Sequence, residues 1–345
     1  MFVGNPSRVT SISAVTPTGS GNAALAYTYT LTGQVLSESN GTDTTTYTYD
    51  ALDRVLTETD GSNVRTYTYD IGDNRTSFVL TVGGSQQLNT SYTYDEAERL
   101  AGVTNGSVTA AYGYDANGNR SYVQYNNGLR ESYTYNKANL LTSLVNKNSA
   151  GSVLSQYDYT YQLDGNQLSK TDANGKVTSY TYDDLGRLVS ESESVSGAVT
   201  QTYTYAYDDR SNRTGLTATG ADAYTTSYTY DLNNRLLTES RGGVTTTYTY
   251  DANGNQLTKS SSAVAEAVTN QYNGLGQLVG VTAGTNAVTY GYAPSGLRTS
   301  KTVGVVTTDY ILDGDNVVLE MQGTAVTGKY IRGFELICAE QQHLF

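Results

Sequence analysis

The 345-residue chain contains no Trp, one Cys, one His, two Met, three Pro and four Phe. With Cys338 as the sole cysteine and His343 as the sole histidine, one chain can form no internal disulfide, no Cys/His zinc cluster and no Ser–His–Asp or Cys–His catalytic arrangement. These absences exclude most enzyme classes. We therefore expect no enzymatic activity, no metal and no cofactor.

Positive charge and long apolar runs are scarce as well. The 21 Lys and Arg residues face 33 Asp and Glu residues, which gives a net charge of −12 and a pI near 4.5. This charge opposes phosphate backbones and anionic membranes, so we expect no nucleic-acid partner. The chain has no apolar stretch of about 18 residues to span a membrane. Residues 1–21 lack the basic start and apolar run of a signal peptide.

Tyrosine is the residue in excess, with 32 copies, and it recurs in a fixed pattern. If the second Tyr of each Tyr-x-Tyr unit is the marker, the steps between units run from 20 to 26 residues. We predict a lead-in segment at 1–24 and an array of about 14 hairpin repeats at 25–312. The structural repeat motif comprises Tyr47, Tyr49, Asp50, Tyr67, Tyr69, Asp70, Tyr92, Tyr94, Asp95, Tyr112, Tyr114, Asp115, Tyr180, Tyr182, Asp183, Gly186, Arg187, Tyr228, Tyr230, Asp231, Tyr248, Tyr250, Asp251 and Gly254.

Each repeat has the pattern of a β-hairpin. Alternation of Tyr with Thr at period two places both tyrosines on one face of a strand and the threonines on the other. The Asp then opens a turn and a Gly closes it at positive φ, as in Asp183 to Gly186. The residues after Arg187 form the returning strand. The predicted fold is all-β, built from tandem antiparallel hairpins.

The turns suggest a larger unit of two hairpins. We interpret the turn after Asp50 as short and the turn after Asp115 as one residue longer, and the two kinds alternate along the array. The extra residue predicts a bulge that curves the sheet. About 28 strands cannot form a flat open sheet, so the sheet must curl. Tyrosine rings stacked across neighbouring strands would then contribute about 0.2–1 kcal/mol per pair.

The repeats resemble those of the YD-repeat, or Rhs-repeat, family. The resemblance is carried by Tyr182 and Asp183 followed by Gly186, Arg187 and Leu188, and it extends over about residues 25–345. It implies a curved, spiralling β-sheet that forms part of a hollow shell, as in bacterial polymorphic toxins, Tc toxin components, wall-associated proteins and teneurins. The stretch 330–337 is similar to the opening of the family's core-associated region. We therefore assign 313–345 to a truncated start of that region.

The resemblance implies a structural function. We expect a segment of a bacterial shell that encloses or displays a C-terminal toxin or effector domain absent from this chain, secreted or held at the cell surface. The chain has no Asp-Pro pair, so we expect no self-cleavage segment. Its partners would be the remainder of the shell and the effector. We also expect the fragment to self-associate through an unpaired strand edge near Leu336–Cys338 and Leu344–Phe345.

The residues also suggest three other kinds of site: a calcium loop, a catalytic carboxylate pair and a sugar-binding surface. Asp-x-Asn-Gly-Asn at 115–119 and 251–255 resembles a calcium loop, but it lacks EF-hand spacing, and Asx-turn chemistry already explains it. Carboxylates such as Glu38 are expected on solvated faces rather than in a catalytic pocket. Exposed tyrosines can stack on sugar rings. A carbohydrate-binding or adhesive surface module is therefore the alternative function.

Overall fold

The computed structural model describes residues 8–14 and 23–341, and these ranges contain strands and turns but no helix. His343 and Leu344–Phe345, together with most of the lead-in segment, lie outside the described residues. In the described ranges no helix is long and apolar enough to cross a bilayer.

Within the described ranges, one sheet contains 31 strands. Their bounds are β1 (Ser11–Ala14), β2 (Ala23–Tyr29), β3 (Val35–Ser39), β4 (Thr44–Tyr49), β5 (Val55–Asp60), β6 (Asn63–Tyr69), β7 (Arg75–Val82), β8 (Ser85–Tyr94), β9 (Leu100–Asn105), β10 (Val108–Tyr114), β11 (Arg120–Tyr125), β12 (Arg130–Tyr135), β13 (Leu141–Lys147), β14 (Val153–Tyr161), β15 (Gln167–Asp172), β16 (Lys176–Tyr182), β17 (Leu188–Val195), β18 (Ala198–Tyr207), β19 (Arg213–Gly220), β20 (Tyr224–Tyr230), β21 (Leu236–Arg241), β22 (Val244–Tyr250), β23 (Gln256–Ser261), β24 (Val264–Tyr272), β25 (Leu278–Ala283), β26 (Asn286–Tyr292), β27 (Arg298–Val303), β28 (Val306–Asp313), β29 (Asn316–Gln322), β30 (Ala325–Arg332) and β31 (Leu336–Gln341).

Consecutive strands pair antiparallel, as the hairpin pattern predicts. In the pair β4–β5, Tyr47 lies opposite Glu58 and Thr48 lies opposite Thr57. The same relation recurs in β16–β17, where Tyr180 lies opposite Glu191. The predicted fold class, all-β with tandem antiparallel hairpins in one curved sheet, is confirmed.

The two faces of the sheet differ in chemistry. The tyrosines of each motif share one face, where they are buried or half-buried, and the threonines between them point outward. On the outer face, hydroxyls pair across strands: Thr48 with Thr57 at 2.6 Å, and Thr229 with Thr238 at 2.6 Å. Thr therefore suits the solvent-exposed face, because its hydroxyl forms a hydrogen bond across the strands and its branched Cβ favours strand geometry.

The predicted difference in turn length is wrong. In the loop after Asp50, Tyr49 pairs with Val55. In the loop after Asp251, assigned to the longer kind, Tyr250 pairs with Gln256, again six residues on. Each loop that follows the second tyrosine of a repeat has five residues, and its first amide donates to its fifth carbonyl. The alternation is one of side chains: in the loops within 50–119 and 162–255, Arg and Asn alternate at the fifth position, whereas Gln34, Leu140, Gln277 and Leu297 occupy it in the other loops.

The bulge also has a different origin from the one predicted. Next to the loop, the register shifts between Thr48 and Tyr49 in one hairpin and between Thr249 and Tyr250 in another. Hairpins of both kinds therefore carry a bulge beside the loop, and no extra loop residue is needed to produce it. A bulge at each loop increases local twist throughout the array.

The chain divides into two compact units, of which unit 1 comprises Met1–Ala110 and Asn270–Phe345. Its buried apolar side chains come from both of these segments. They are Tyr67, Phe78, Leu80, Leu88, Tyr92, Leu100, Val103 and Ala110 from the first, and Ile311, Val318, Leu319 and Ile331 from the second. The aliphatic core is thus concentrated where strands distant in sequence lie together.

Hydrogen bonds and an ion pair join the two segments of unit 1. Asn40 Nδ2 donates to the Tyr292 carbonyl at 3.0 Å, and Arg65 donates through Nε to the carbonyl of Leu312. Arg75 forms an ion pair with Asp313 at 2.7 Å. Asp313 belongs to an acidic run at the end of β28, and in this structure its carboxylate holds the late strand to an early one.

Unit 2, Ala111–Thr269, has fewer fully buried apolar side chains among the described residues. Tyr112, Val123 and Ala218 are buried, together with the polar residues Thr178, Gln201 and Thr226. Its tyrosine face is mostly half-buried. The division of the sequence into 1–24, 25–312 and 313–345 concerns repeat content rather than compactness, and it stays a prediction.

Substitution of Gly186 tests the loop geometry, because the φ of this residue is +74°. A Cβ there would meet only Asn166 Nδ2 at 3.8 Å, an ordinary contact. Backbone conformation alone therefore sets the cost of a side chain. We expect Gly186→Val to lower the free energy of unfolding by about 1–2 kcal/mol or more. Gly186→Asn should cost clearly less, since Asn tolerates this region. Urea unfolding of both variants measures the difference, and equal effects would contradict the assignment.

Candidate functional site

An aspartate at the first position organises each typical loop. Asp50 Oδ1 accepts from the backbone amides of Leu52 at 2.8 Å and Arg54 at 3.0 Å, and its Oδ2 accepts from Arg54 Nε at 2.7 Å. One carboxylate thus satisfies three donors that no strand partner reaches.

The loops considered as calcium sites use the same chemistry. Asp115 Oδ1 accepts from the amides of Asn117 and Asn119, both at 2.9 Å, and its Oδ2 accepts from Asn119 Nδ2 at 3.0 Å. In the part of the chain that the structure describes, no group of three or more His, Cys, Asp or Glu side chains is arranged to hold a metal ion. The carboxylate here serves the loop itself.

The second tyrosine of most motifs bonds its hairpin to the preceding one. Tyr69 donates its hydroxyl to the Val55 carbonyl at 2.9 Å, and Val55 begins the returning strand of the hairpin before. A backbone carbonyl is the acceptor in every such bond. The donors are Tyr29, Tyr49, Tyr69, Tyr94, Tyr135, Tyr161, Tyr182, Tyr207, Tyr230, Tyr250 and Tyr292.

The first tyrosine of some motifs reaches a glutamate instead. Tyr47 donates its hydroxyl to Glu38 Oε1 at 2.8 Å, and Tyr248 approaches Glu239 Oε2 at 3.4 Å. In each pair the glutamate lies nine residues before the tyrosine. The expectation that Glu38 is solvated is wrong: only 9% of it is exposed, because it lies on the tyrosine face. Burial and the bond to Glu38 raise the pKa of Tyr47.

Arginines lie where stacked tyrosine rings were expected. The guanidinium carbon of Arg54 is 4.8 Å from the ring centroid of Tyr69, and that of Arg187 is 4.8 Å from the ring of Tyr207. The described contact between two aromatic rings joins Tyr67 to Phe78. The predicted tyrosine ladder is therefore replaced at these positions by alternating rings and cations, a favourable arrangement.

The same arginines bridge from one loop to the next. Arg54 Nη1 donates to the Asp70 carbonyl at 2.9 Å and to Asp73 Oδ1 at 2.7 Å. Arg187 Nη1 donates to the Asp208 carbonyl and to Ser211 Oγ, both at 3.2 Å. In these two pairs an arginine loop is thereby fixed to the asparagine loop that follows it.

Two Asn residues with positive φ accept hydrogen bonds from the preceding loop. Asn139 and Asn234, with φ of 59° and 62°, accept at Oδ1 from the side-chain amides of Asn119 at 2.9 Å and Asn212 at 3.0 Å. A Gly would adopt this conformation more easily, but it has no side chain to accept the bond. Sequence reasoning missed these residues, although a non-Gly residue at the Gly position was a visible signal.

The predicted motif residues fall into these roles by position. First tyrosines lie on the inner face, second tyrosines lie beside the loops, aspartates open the loops, and Gly186 and Gly254 occupy the positive-φ position. Arg187 bonds Asp183 and reaches the next loop. These groups bond chiefly to one another and to the backbone. The arrangement holds hairpins in place, and the described contacts do not present a nucleophile with a base.

Comparison with known proteins also identifies a repeat in this chain. The family model described as RHS Repeat matches residues 161–194, the segment from Tyr161 through the loop of Asp183, Gly186 and Arg187. Residues 161–194 therefore match an RHS repeat. No curated protein sequence matches it significantly.

Several solved structures share the fold of this chain. The TcdB2-TccC3-TEV crystal structure matches with a TM-score of 0.51 and 14% identity, covering 90% of this chain and 23% of that one. The TcdB2-TccC3-Cdc42 crystal structure gives 0.53 and 17%, with 93% and 20% covered. A Photorhabdus luminescens Tc holotoxin pore carrying a TccC3 mutation gives 0.52 and 15%, with 89% and 21% covered. The chain therefore spans about a fifth of the length of these structures.

Removing one tyrosine hydroxyl tests the bond between hairpins. Tyr182 donates to the Gln167 carbonyl at 2.9 Å. We expect Tyr182→Phe to lower the free energy of unfolding by about 0.5–1.5 kcal/mol. Tyr203→Phe is the matched control, because the structure describes no hydrogen bond from the Tyr203 hydroxyl. Chemical unfolding measures both, and an equal loss would show that the carbonyl bond contributes nothing specific.

The loop aspartates make the stability of the fold depend on pH in the acidic range. The backbone amide of Arg187, followed by its guanidinium, holds the pKa of Asp183 below the ordinary 3.8, and similar bonds lower the pKa of Asp50, Asp95 and Asp231. A lowered folded pKa contributes stability that is present above about pH 4 and lost as pH falls through the folded value. We expect thermal unfolding midpoints to drop below about pH 4.

Asp183→Asn provides the control for the acid response. Asn occupies the equivalent position in the loops at Asn136 and Asn273, where its Oδ1 accepts the same backbone amides. The variant should fold and should lose less stability on acidification than the wild type. An identical acid response in both proteins would contradict a role for Asp183.

Proposed function

We propose that this RHS-repeat chain is a structural segment of a β-shell that encloses or displays a C-terminal toxin or effector domain in a longer protein. The shared fold with structures containing TccC3 supports the structural part. Enclosure, the effector, the remaining shell as partner and a location outside the cell or at its surface are parts of the proposal.

The observation that carries the proposal is the regularity of the tyrosine bonds. Second tyrosines from Tyr29 to Tyr292 donate to a carbonyl of the preceding hairpin in the same way. A binding or catalytic site is usually local, whereas these bonds recur along nearly the whole described chain. Such repetition stabilises an extended wall, since each bond fixes one hairpin against its neighbour.

Glycan binding is the second candidate, and one feature favours it. Unit 1 contains a cavity of about 660 Å³ bordered by Tyr292 and Tyr310 and by Asp43, Asp60 and Asp309. Aromatic rings beside carboxylates suit the faces and hydroxyls of sugars. Binding on a glycan array that is lost on Tyr310→Ala would promote this candidate, and blank arrays would remove it.

Protease protection tests enclosure directly. The complete reading frame that contains this segment is expressed, and the chain that follows the repeats is digested with a nonspecific protease. We expect that chain to survive until denaturant opens the sheet, whereas the same chain expressed alone is cut under native conditions. The matched control is an intact frame with a cleavable peptide added before the repeats, which should be cut at once.

Two outcomes would contradict enclosure. The first is digestion of the following chain as fast as the isolated chain. The second is a reading frame in which the repeats are followed by no further domain. Neither outcome would alter the repeat fold, so failure of the proposed role is distinguishable from failure of the fold.

A further inference from the structure

Arg75, the first residue of β7, holds a carboxylate beside two tyrosine rings in unit 1. Its guanidinium carbon is 5.7 Å from the ring centroid of Tyr67 and 4.9 Å from that of Tyr92. Its Nη2 donates to the Tyr92 hydroxyl at 3.1 Å, and its Nη1 donates to Asp313 Oδ1 at 2.7 Å. The rings and the hydroxyl orient the guanidinium, and Nη1 binds the carboxylate.

Asp313 can make this contact because its own turn does not use its carboxylate. It follows Leu312, which stands where other repeats have their second tyrosine, so it occupies the position of a loop aspartate. However, Asp313 pairs with Asn316, which leaves a two-residue turn instead of a five-residue loop. The carboxylate therefore has no loop amides to accept, and it binds Arg75. An arginine placed in this way is a receptor for a carboxylate.

Unit 2 repeats the arrangement around Arg213, the first residue of β19. Its guanidinium carbon is 6.0 Å from the ring centroid of Tyr205 and 4.7 Å from that of Tyr228, and its Nη2 donates to the Tyr228 hydroxyl at 3.2 Å. Its carbonyl accepts from the Tyr230 hydroxyl at 2.9 Å, the same distance as in the equivalent bond to Arg75. In both units the two rings are the first tyrosines of the same hairpin and of the next one.

The two arginines differ in their acidic partners. Arg213 is exposed, and no carboxylate within residues 8–14 and 23–341 forms an ion pair with it. Glu239 lies opposite Tyr228, but the Tyr248 hydroxyl approaches its carboxylate at 3.4 Å. The guanidinium of Arg213 is therefore oriented by tyrosines, as in unit 1, and accessible to a ligand.

Two other arginines share only part of this arrangement. Arg120 donates to a tyrosine hydroxyl in the same way, but it is half-buried. Arg298 is exposed and stacks on two tyrosine rings, but the described contacts include no bond from it to a tyrosine hydroxyl. Arg213 combines exposure with the tyrosine contacts that Arg75 makes.

We propose that Arg213, with Tyr205 and Tyr228, binds the carboxylate of an aspartate or glutamate side chain in an acidic polypeptide segment. The ion pair of Asp313 with Arg75 defines the ligand chemistry, because the equivalent three side chains hold that carboxylate in unit 1. Nη1 donates to the carboxylate in a charge-assisted hydrogen bond, and the rings flank the guanidinium. The site requires neither enclosure nor an effector, so its failure would leave the proposed function untouched.

Titration of the full chain with two synthetic peptides tests the site. One peptide has the sequence of residues 310–318, which include Asp313 and Asp315, and the other carries Asp313→Asn and Asp315→Asn. The Nε–Hε resonance of Arg213, observed in protein with isotope-labelled arginine, reports binding. The acidic peptide should shift this resonance until it saturates. The amide peptide should bind at least about tenfold more weakly, because its acceptor carries no charge.

Variants of the full chain assign the binding to Arg213, with fluorescence anisotropy of the dye-labelled acidic peptide as the measurement. Arg213→Gln should weaken binding by about tenfold or more. Arg210→Gln is the matched control, because it removes the same charge from an exposed arginine that donates to the Leu232 carbonyl, and it should bind like the wild type. Tyr228→Phe should weaken binding severalfold, since it removes only the hydroxyl that orients Nη2.

Small ions separate carboxylate binding from charge screening. Sodium acetate should shift the Arg213 resonance in the same direction as the acidic peptide, whereas sodium chloride at the same ionic strength should not. Equal binding of the two peptides, equal binding by Arg213→Gln and Arg210→Gln, or a shift reproduced by sodium chloride would each overturn the proposal. The comparison of peptides on the wild type needs no variant, so it decides the question even if Arg213→Gln does not fold.

Discussion

The five-residue loop and the side chain that closes it are the constraint on which the structure depends. Such a loop leaves backbone amides without strand partners, and buried or half-buried amides need acceptors. Asp183 supplies them for the amides of Leu185 and Arg187. Once the carboxylate is fixed in this way, its second oxygen holds Arg187, and that arginine reaches the next loop. Local loop chemistry therefore sets the relation between neighbouring hairpins.

Both the ring and the hydroxyl of tyrosine contribute to this structure. Its ring covers the inner face, and its hydroxyl reaches a carbonyl one hairpin away, a reach that Phe cannot provide and that shorter hydroxyl side chains lack. The second tyrosine donates to a backbone carbonyl, as Tyr49 does to Val35, and the first bonds a charged side chain, as Tyr47 does with Glu38 and Tyr92 with Arg75. This division of roles explains how a chain with few aliphatic residues holds an extended sheet.

The repeats, the strand direction and the tyrosine face could be predicted because each follows from period-two alternation and turn residues within about 20 positions. Loop length was misjudged because Asp-Asp-Leu-Gly-Arg and Asp-Ala-Asn-Gly-Asn differ in their residues. Gly186 and Gly254 both lie three residues after the motif Asp, and the pairing of Tyr250 with Gln256 shows the common loop length. The burial of Glu38 was missed because it depends on the register between hairpins. The contact of Arg75 with Asp313, 238 residues apart, depends on how the sheet bends and has no local signature.

The alternation of loops also bears on how such an array can change in length. An arginine loop such as that of Arg54 needs an acceptor in the loop that follows, and Asp73 or Ser211 provides it. Inserting or deleting one hairpin within an alternating stretch would place two loops of the same kind side by side and break the order of arginine loop and asparagine loop. Inserting or deleting two hairpins would restore each donor to an acceptor. The unit that this architecture can gain or lose without a mismatch at the junction is accordingly the pair of hairpins.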